Sequence, residues 1–165
     1  AVEDTEGEPL PAESDGYAEW VKQLPLVEVA EAWDLKVDAY THREGAPLGY
    51  YRYANGKGQA IMLGVENLST FCHELCHAAD HKLTKLSGTK VHKEIVAELG
   101  AAILLECLGR KEDADLGGAF SYIEAYAKTE KQPVVRACIQ VLDRMCNAVQ
   151  LILDEAARLS TVTTA

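Results

Sequence analysis

The chain has 165 residues, 48% of them apolar, which is enough for one globular domain around a single core and too few for two. Its net charge of −10 sits largely in residues 1–16, where six side chains are acidic and none basic; taking those six from 26 leaves 20 acidic against 16 basic residues over 17–165. No basic stripe interleaved with aromatics appears, which disfavours direct nucleic-acid binding, and no apolar run suits a membrane span or a signal segment, so the expected location is cytoplasmic.

Residues 1–16, AVEDTEGEPLPAESDG, carry two prolines, two glycines and few large apolar groups, too little to offset the entropy of ordering them. They read as an acidic disordered linker or tail. Because the chain opens on Ala1, the expectation is a fragment, a processed form or a piece of something longer. The folded domain is expected over 17–160. Within 17–33, Trp20, Val21 and Leu24, then Leu26, Val29, Ala30 and Trp33, recur at helical spacings around Pro25, which predicts two short helices or one interrupted helix. Residues 35–41 alternate apolar and polar, 48–53 are rich in aromatics, and 60–63 form a short apolar run. These predict a small sheet of about three strands with a hairpin at Asn55-Gly56.

From Asn67 the period becomes helical. Asn67 is the predicted N-cap of a helix that turns Leu68, Phe71, Cys72, Leu75 and Ala78 to the core and runs to about Leu83. After a loop at 84–91, a second helix spans about His92 to Leu108 and stops at Gly109. A third covers about Gly118 to Lys128, and Pro133 opens a fourth that ends near Leu159. The predicted apolar face of this last helix is Val135, Ile139, Leu142, Cys146, Val149 and Leu153. A small sheet followed by several helices is an α+β arrangement. The five cysteines, Cys72, Cys76, Cys107, Cys138 and Cys146, form an odd set among apolar neighbours and are expected to be buried and reduced.

The pentad His73-Glu74-Leu75-Cys76-His77 has the H-E-x-x-H pattern of zinc hydrolases inside a predicted helix. At 3.6 residues per turn, His73 and His77 lie one above the other on a single face and can converge on one Zn²⁺. Glu74, one residue round, is the candidate general base for a zinc-activated water. With only three fixed positions the pattern also arises by chance, as two surface histidines flanking a helix acid. Cys72 and Cys76 point away from the His73 direction and are not expected as ligands.

A catalytic zinc needs three protein ligands and an open position, so the rest of the chain must supply one more. In the second helix, Glu94 and Glu98 share a face that is otherwise strongly apolar, where like charges resist burial unless a cation lies between them. Glu94 is assigned as third ligand, and Glu98 as the carboxylate that orients a ligand histidine through its other ring nitrogen. The reversed assignment, with Glu98 as ligand, stays open, as does an exposed Glu94 near the helix start. Asp80, three residues past His77, could compete as a ligand but is read as a solvated helix-end acid. His81 is read as a packing or capping residue. Leu83 excludes the longer zincin form with a third histidine six residues after the second. Gly100, Ala101 and Ala102 leave little bulk, which permits close packing against the motif helix.

The stretches TFCHELCHAADHKL, HKEIVAELGAAILL and FSYIEAYAK together resemble the zincin-like metallopeptidase domain of ArdC-type antirestriction proteins and, more distantly, the ImmA/IrrE-type metallopeptidases. The shared features are H-E-L-x-H followed by His81, the block from Glu94 to Ala101, and Tyr122-Ile123 ahead of a last helix, over roughly residues 60–155. The resemblance implies a minimal zincin fold, with a short sheet whose edge strand lies over the cleft. It also implies His73, His77 and Glu94 as ligands of Zn²⁺ and Glu74 as general base. ArdC-type proteins carry an N-terminal single-stranded-DNA-binding domain that this chain does not include, and residues 1–16 would be the linker to it. Asp80 stands where the family usually has glycine, Cys76 replaces a common Thr or Ser, and His92-Lys93 replaces a more acidic approach to the ligand; none of these removes a catalytic group.

The expected function is hydrolysis of peptide bonds in a peptide or protein substrate by a zinc metallopeptidase. The alternative is a non-catalytic protein-binding module on the same scaffold that inhibits or occludes a host protein. Candidate oxyanion donors are Tyr122, His92 and the group Tyr50, Tyr51 and Tyr53, while residues 60–64 are a candidate to hold an extended substrate by strand addition.

Overall fold

The computed structural model describes residues 19–53, 58–85 and 87–163; the acidic stretch 1–16 and the Asn55-Gly56 turn lie outside them. A 3-10 turn at Val21–Gln23 and a short helix α1 (Val27–Ala32) flank Pro25, so the interrupted segment resolves into two pieces. Proline lacks the N–H a continuous helix needs, and Leu26 turns the chain with a left-handed φ of 69°. Strands β1 (Lys36–Ala39), β2 (Gly49–Arg52) and β3 (Ala60–Leu63) form one mixed sheet in the order β1-β3-β2. β3 runs parallel to β1, with Val37 opposite Ile61, and antiparallel to β2, with Tyr51 opposite Ile61.

The central position of β3 corrects the expectation that residues 60–64 take up an extended partner. Both its edges are paired, and Ala60, Ile61 and Leu63 are fully buried. The strand that lies along the motif helix with an outer edge is β2.

Four helices follow: α2 (Leu68–Thr84), α3 (Lys90–Cys107), α4 (Leu116–Thr129) and α5 (Val134–Thr163). The molecule is therefore α+β, a three-strand mixed sheet followed by a helical bundle. The N-caps explain the helix starts. Asn67 accepts from Thr70 N at 2.9 Å, Thr89 from His92 N at 3.2 Å and Asp115 from Gly118 N at 2.8 Å, so α3 and α4 each begin two residues earlier than expected. Helices α2, α3 and α5 pack mutually into the core, which Phe71, Leu75, Ile95, Leu104, Leu105, Met145 and Ile152 fill.

Three expectations are corrected here. On α5 the buried face is Ala137, Val141, Met145, Ala148, Val149 and Ile152, whereas Val135, Ile139 and Leu142 are exposed. At 100° per residue the true face lies roughly 110° round from the predicted stripe. Cys72 and Cys76 are buried as expected, but Cys107 and Cys146 are exposed and Cys138 is half-buried. Asp80 is not a solvated acid. It is fully buried and receives two hydrogen bonds from Arg144 on α5, from Nε at 2.5 Å and Nη2 at 2.6 Å. A planar guanidinium meeting both carboxylate oxygens is the geometry that allows such a charge to be buried. No helix among the described residues is long and apolar enough to cross a membrane.

Candidate metal centre

Two antiparallel helices build the centre. The Asn67 cap sets the phase of α2, so that Leu68, Phe71, Cys72, Leu75 and Ala78 enter the core while His73 and His77 emerge together beside α3. The small residues on α3 let the two helices approach. A Cβ added at Gly100 would lie 2.7 Å from Cys76 Sγ, so this contact requires glycine. With the helices this close and opposed, Glu98 comes level with His73, and Glu94 comes level with the gap between His73 and His77.

His73 Nε2 and His77 Nε2 are 3.1 Å apart, and Glu94 Oε2 is 3.6 Å from each. Among the described residues these three form the group whose ligand atoms can hold one metal ion. The circle through the three atoms has a radius of about 2.0 Å, close to the usual Zn–N and Zn–O bond lengths, so their spacing suits one small ion. The donors, two imidazoles and one carboxylate, are borderline ligands suited to zinc and its neighbours in the first transition row. On the far side of His73, Nδ1 lies 3.3 Å from Glu98 Oε1. In a neutral ring, a proton on Nδ1 facing Glu98 would leave the Nε2 lone pair for a metal.

The electrostatics of the cluster follow from its burial. For His73, burial alone would lower the pKa, but the facing carboxylates of Glu94 and Glu98 outweigh it and push the value up to about 10. For Glu94, burial acts to raise the pKa, yet the imidazoles of His73 and His77, each 3.6 Å away, hold the carboxyl well below the usual range. Glu74 is buried, and that burial raises its pKa against the opposing pull of His73 and His77; the Tyr51 backbone N–H also donates to its carboxylate.

A cleft of about 790 Å³ opens over these residues, walled by β2 on one side and by α3 and α4 on the other. His73, Glu74, His77, Glu94 and Glu98 all line it, as do Tyr50, Tyr51, Tyr53 and Tyr122 among the expected oxyanion donors. His92 turns instead toward Glu130, with Nε2 3.8 Å from Oε2. His81 takes a packing role at the edge of the cleft: its Nδ1 meets the Tyr51 hydroxyl at 2.7 Å and its ring meets Tyr53 edge-on. Tyr51 is thus held to α2 twice, by its backbone at Glu74 and by its hydroxyl at His81.

One residue escaped the sequence reading. Tyr126 on α4 lines the cleft; burial, then the charges of Glu94 and Glu98, push its pKa up to about 12. Its position one helical turn after Tyr122 was the available signal. No protein-family model, curated protein or solved structure matches the chain.

Proposed function

We propose that the chain is a zinc-dependent metallopeptidase domain of the zincin-like kind found in ArdC-type antirestriction proteins, hydrolysing peptide bonds with Glu74 as general base. The observation that carries this reading is the triangle of His73 Nε2, His77 Nε2 and Glu94 Oε2, sized for one small cation and facing an open cleft with a buried carboxylate at its side. A closed structural zinc has four protein ligands, whereas three donors and an open side are the catalytic pattern. When bound, zinc supplies a Lewis acid for the scissile carbonyl and acidifies water at the site.

The chain's own residues do the rest. Glu98 fixes the tautomer of His73. Glu74 accepts the proton of the attacking water and returns it to the leaving amine, a shuttle that its raised pKa assists. Tyr126 and Tyr122 present phenol groups on the wall opposite β2, where a donor to the developing oxyanion is needed. The outer edge of β2 runs along the cleft, so an extended peptide can pair with it while its scissile bond faces Glu74.

Replacing Glu74 by Gln tests the reading. Zinc content and fold are expected to persist, while peptide turnover falls by a factor of about 100 or more. Biological activity that survives this change would point instead to a binding module that occludes its partner without cleaving it.

A further inference from the structure

The charges that line the cleft are ordered along α3. Lys90 and Lys93 lie just before Glu94, toward the helix start; past Glu98 and Ala102, beyond the helix's end, come Asp113 and Asp115. The acids are engaged. Glu94 and Glu98 face the histidines, Asp113 lies 2.6 Å from Arg110, and Asp115 caps α4. Lys90 and Lys93 make no ion pair among the described residues, and the nearby Glu130 is held by Thr89, His92 and Gln132. Because α2 and α3 are antiparallel, the lysines stand at the end of the cleft that Tyr51 and Tyr53 wall from the other side.

We propose that Lys90 and Lys93 form a subsite for a carboxylate of the substrate, on the Tyr51 and Tyr53 side of the metal centre. This rests on the peptidase reading above and adds a substrate class to it. The remaining acidic lining consists of Glu74, Glu94 and Glu98 around the metal centre and Asp113 and Asp115 beyond it, so the start of α3 is the part of the wall where cations stand without an acidic partner among the described residues. Charge thereby sets both the direction and the register of an extended chain in the cleft.

The distance fits a position close to the scissile bond. Four residues of helix separate Lys90 from Glu94, about 6 Å along the axis, and an extended peptide advances about 3.4 Å per residue, so the carboxylate falls one or two residues from the cleaved bond. Two sources supply that group, an Asp or Glu side chain or the substrate's own C-terminus.

The test incubates the zinc-loaded full chain with a peptide mixture of diverse sequence, with C-termini either free or amidated, and identifies the products by mass spectrometry. The inference predicts that cleavage sites carry Asp or Glu within two residues on one fixed side of the cut. If the chain end is what Lys90 and Lys93 read, cuts fall one or two residues from a free C-terminus and vanish on amidated peptides. In the double variant Lys90→Ala/Lys93→Ala, with zinc content unchanged, kcat/KM on acidic substrates drops about five- to tenfold, the size of partly exposed ion pairs, while neutral substrates change less than about twofold. Lys93→Glu shifts the preference toward basic residues. Cleavage by the wild type with no preference for a carboxylate, or a preference unmoved by these variants, overturns the inference and leaves the peptidase reading standing. No cleavage of any peptide by the zinc-loaded wild type contradicts the peptidase reading and this inference with it.

Discussion

His73 lies between two carboxylates, Glu94 of the candidate metal triad on one side of the ring and Glu98 on the other. Its Nδ1 faces Glu98 at 3.3 Å while its Nε2 faces His77 and Glu94; on the reading proposed above, Glu98 orients the ring. Removing the carboxylate in Glu98→Ala is expected to weaken zinc binding about 10- to 100-fold, measured by competition with a chelator. An unchanged affinity would show that Glu98 does not orient the ring. The same cluster sets a pH dependence in the metal-free protein. Burial works against a charged His73, but the carboxylates of Glu94 and Glu98 win and hold the pKa at about 10, above the ordinary 6.5. A value raised in the folded state stabilises the fold fully below about pH 6.5, and that contribution is lost as the pH rises through 10. Glu94, despite burial, is held low by the two histidines, so its contribution is present above about pH 4.5 and fades in acid. Urea unfolding of the metal-free chain is expected to show stability declining between pH 7 and 10. The zinc-loaded chain, whose ligands are already deprotonated, lacks this decline, and a flat metal-free profile contradicts the account.

At the scale of elements, α2 was legible because its signals are local. Asn67 caps it, the apolar period runs through Leu68, Phe71, Cys72 and Leu75, and the two histidines lie one turn apart. The pair Glu94 and Glu98 was legible for a related reason, two carboxylates on an apolar helix that lack any local compensation. What failed depended on distant partners. Asp80 looks like a solvated acid until Arg144 arrives from 64 residues away. The α5 face was misplaced because Val135, Ile139 and Leu142 outweigh Ala137 and Ala148 in hydrophobicity, although the alanines are what allow close helix contact. The place of β3 at the sheet centre comes from its parallel pairing with β1, which no turn between neighbours announces. Tyr126 acquires a role only when α4 folds back onto α3. The Asp80 and Arg144 pair yields a direct prediction. Replacing Arg144 by Met leaves a buried carboxylate uncompensated and is expected to cost about 3 kcal/mol or more in chemical denaturation, most of it regained in the double variant Asp80→Asn/Arg144→Met. A loss below about 1 kcal/mol in the single variant would show that the pair does not hold α5 to α2.

In the whole molecule the sheet and the helices divide the work. Helices α2, α3 and α5 form a packed frame that fixes the three donor atoms, with Gly100 setting the approach of α3 to α2 at Cys76. The sheet adds one wall, with β2 tied to α2 through Tyr51, and α4 adds the other. Donors spread over two elements and brought within 3.6 Å by packing remain together only while that frame is intact, so metal binding there would be coupled to folding. The central claim is that His73, His77 and Glu94 together hold one zinc. Elemental analysis of the purified chain, of His77→Ala and of Glu94→Ala, each confirmed as folded by circular dichroism, tests it most directly. The account predicts one zinc per chain in the wild type and its loss in both variants. A wild type that takes up no zinc, or a Glu94→Ala variant that keeps a full complement while His77→Ala loses it, would contradict the three-ligand centre.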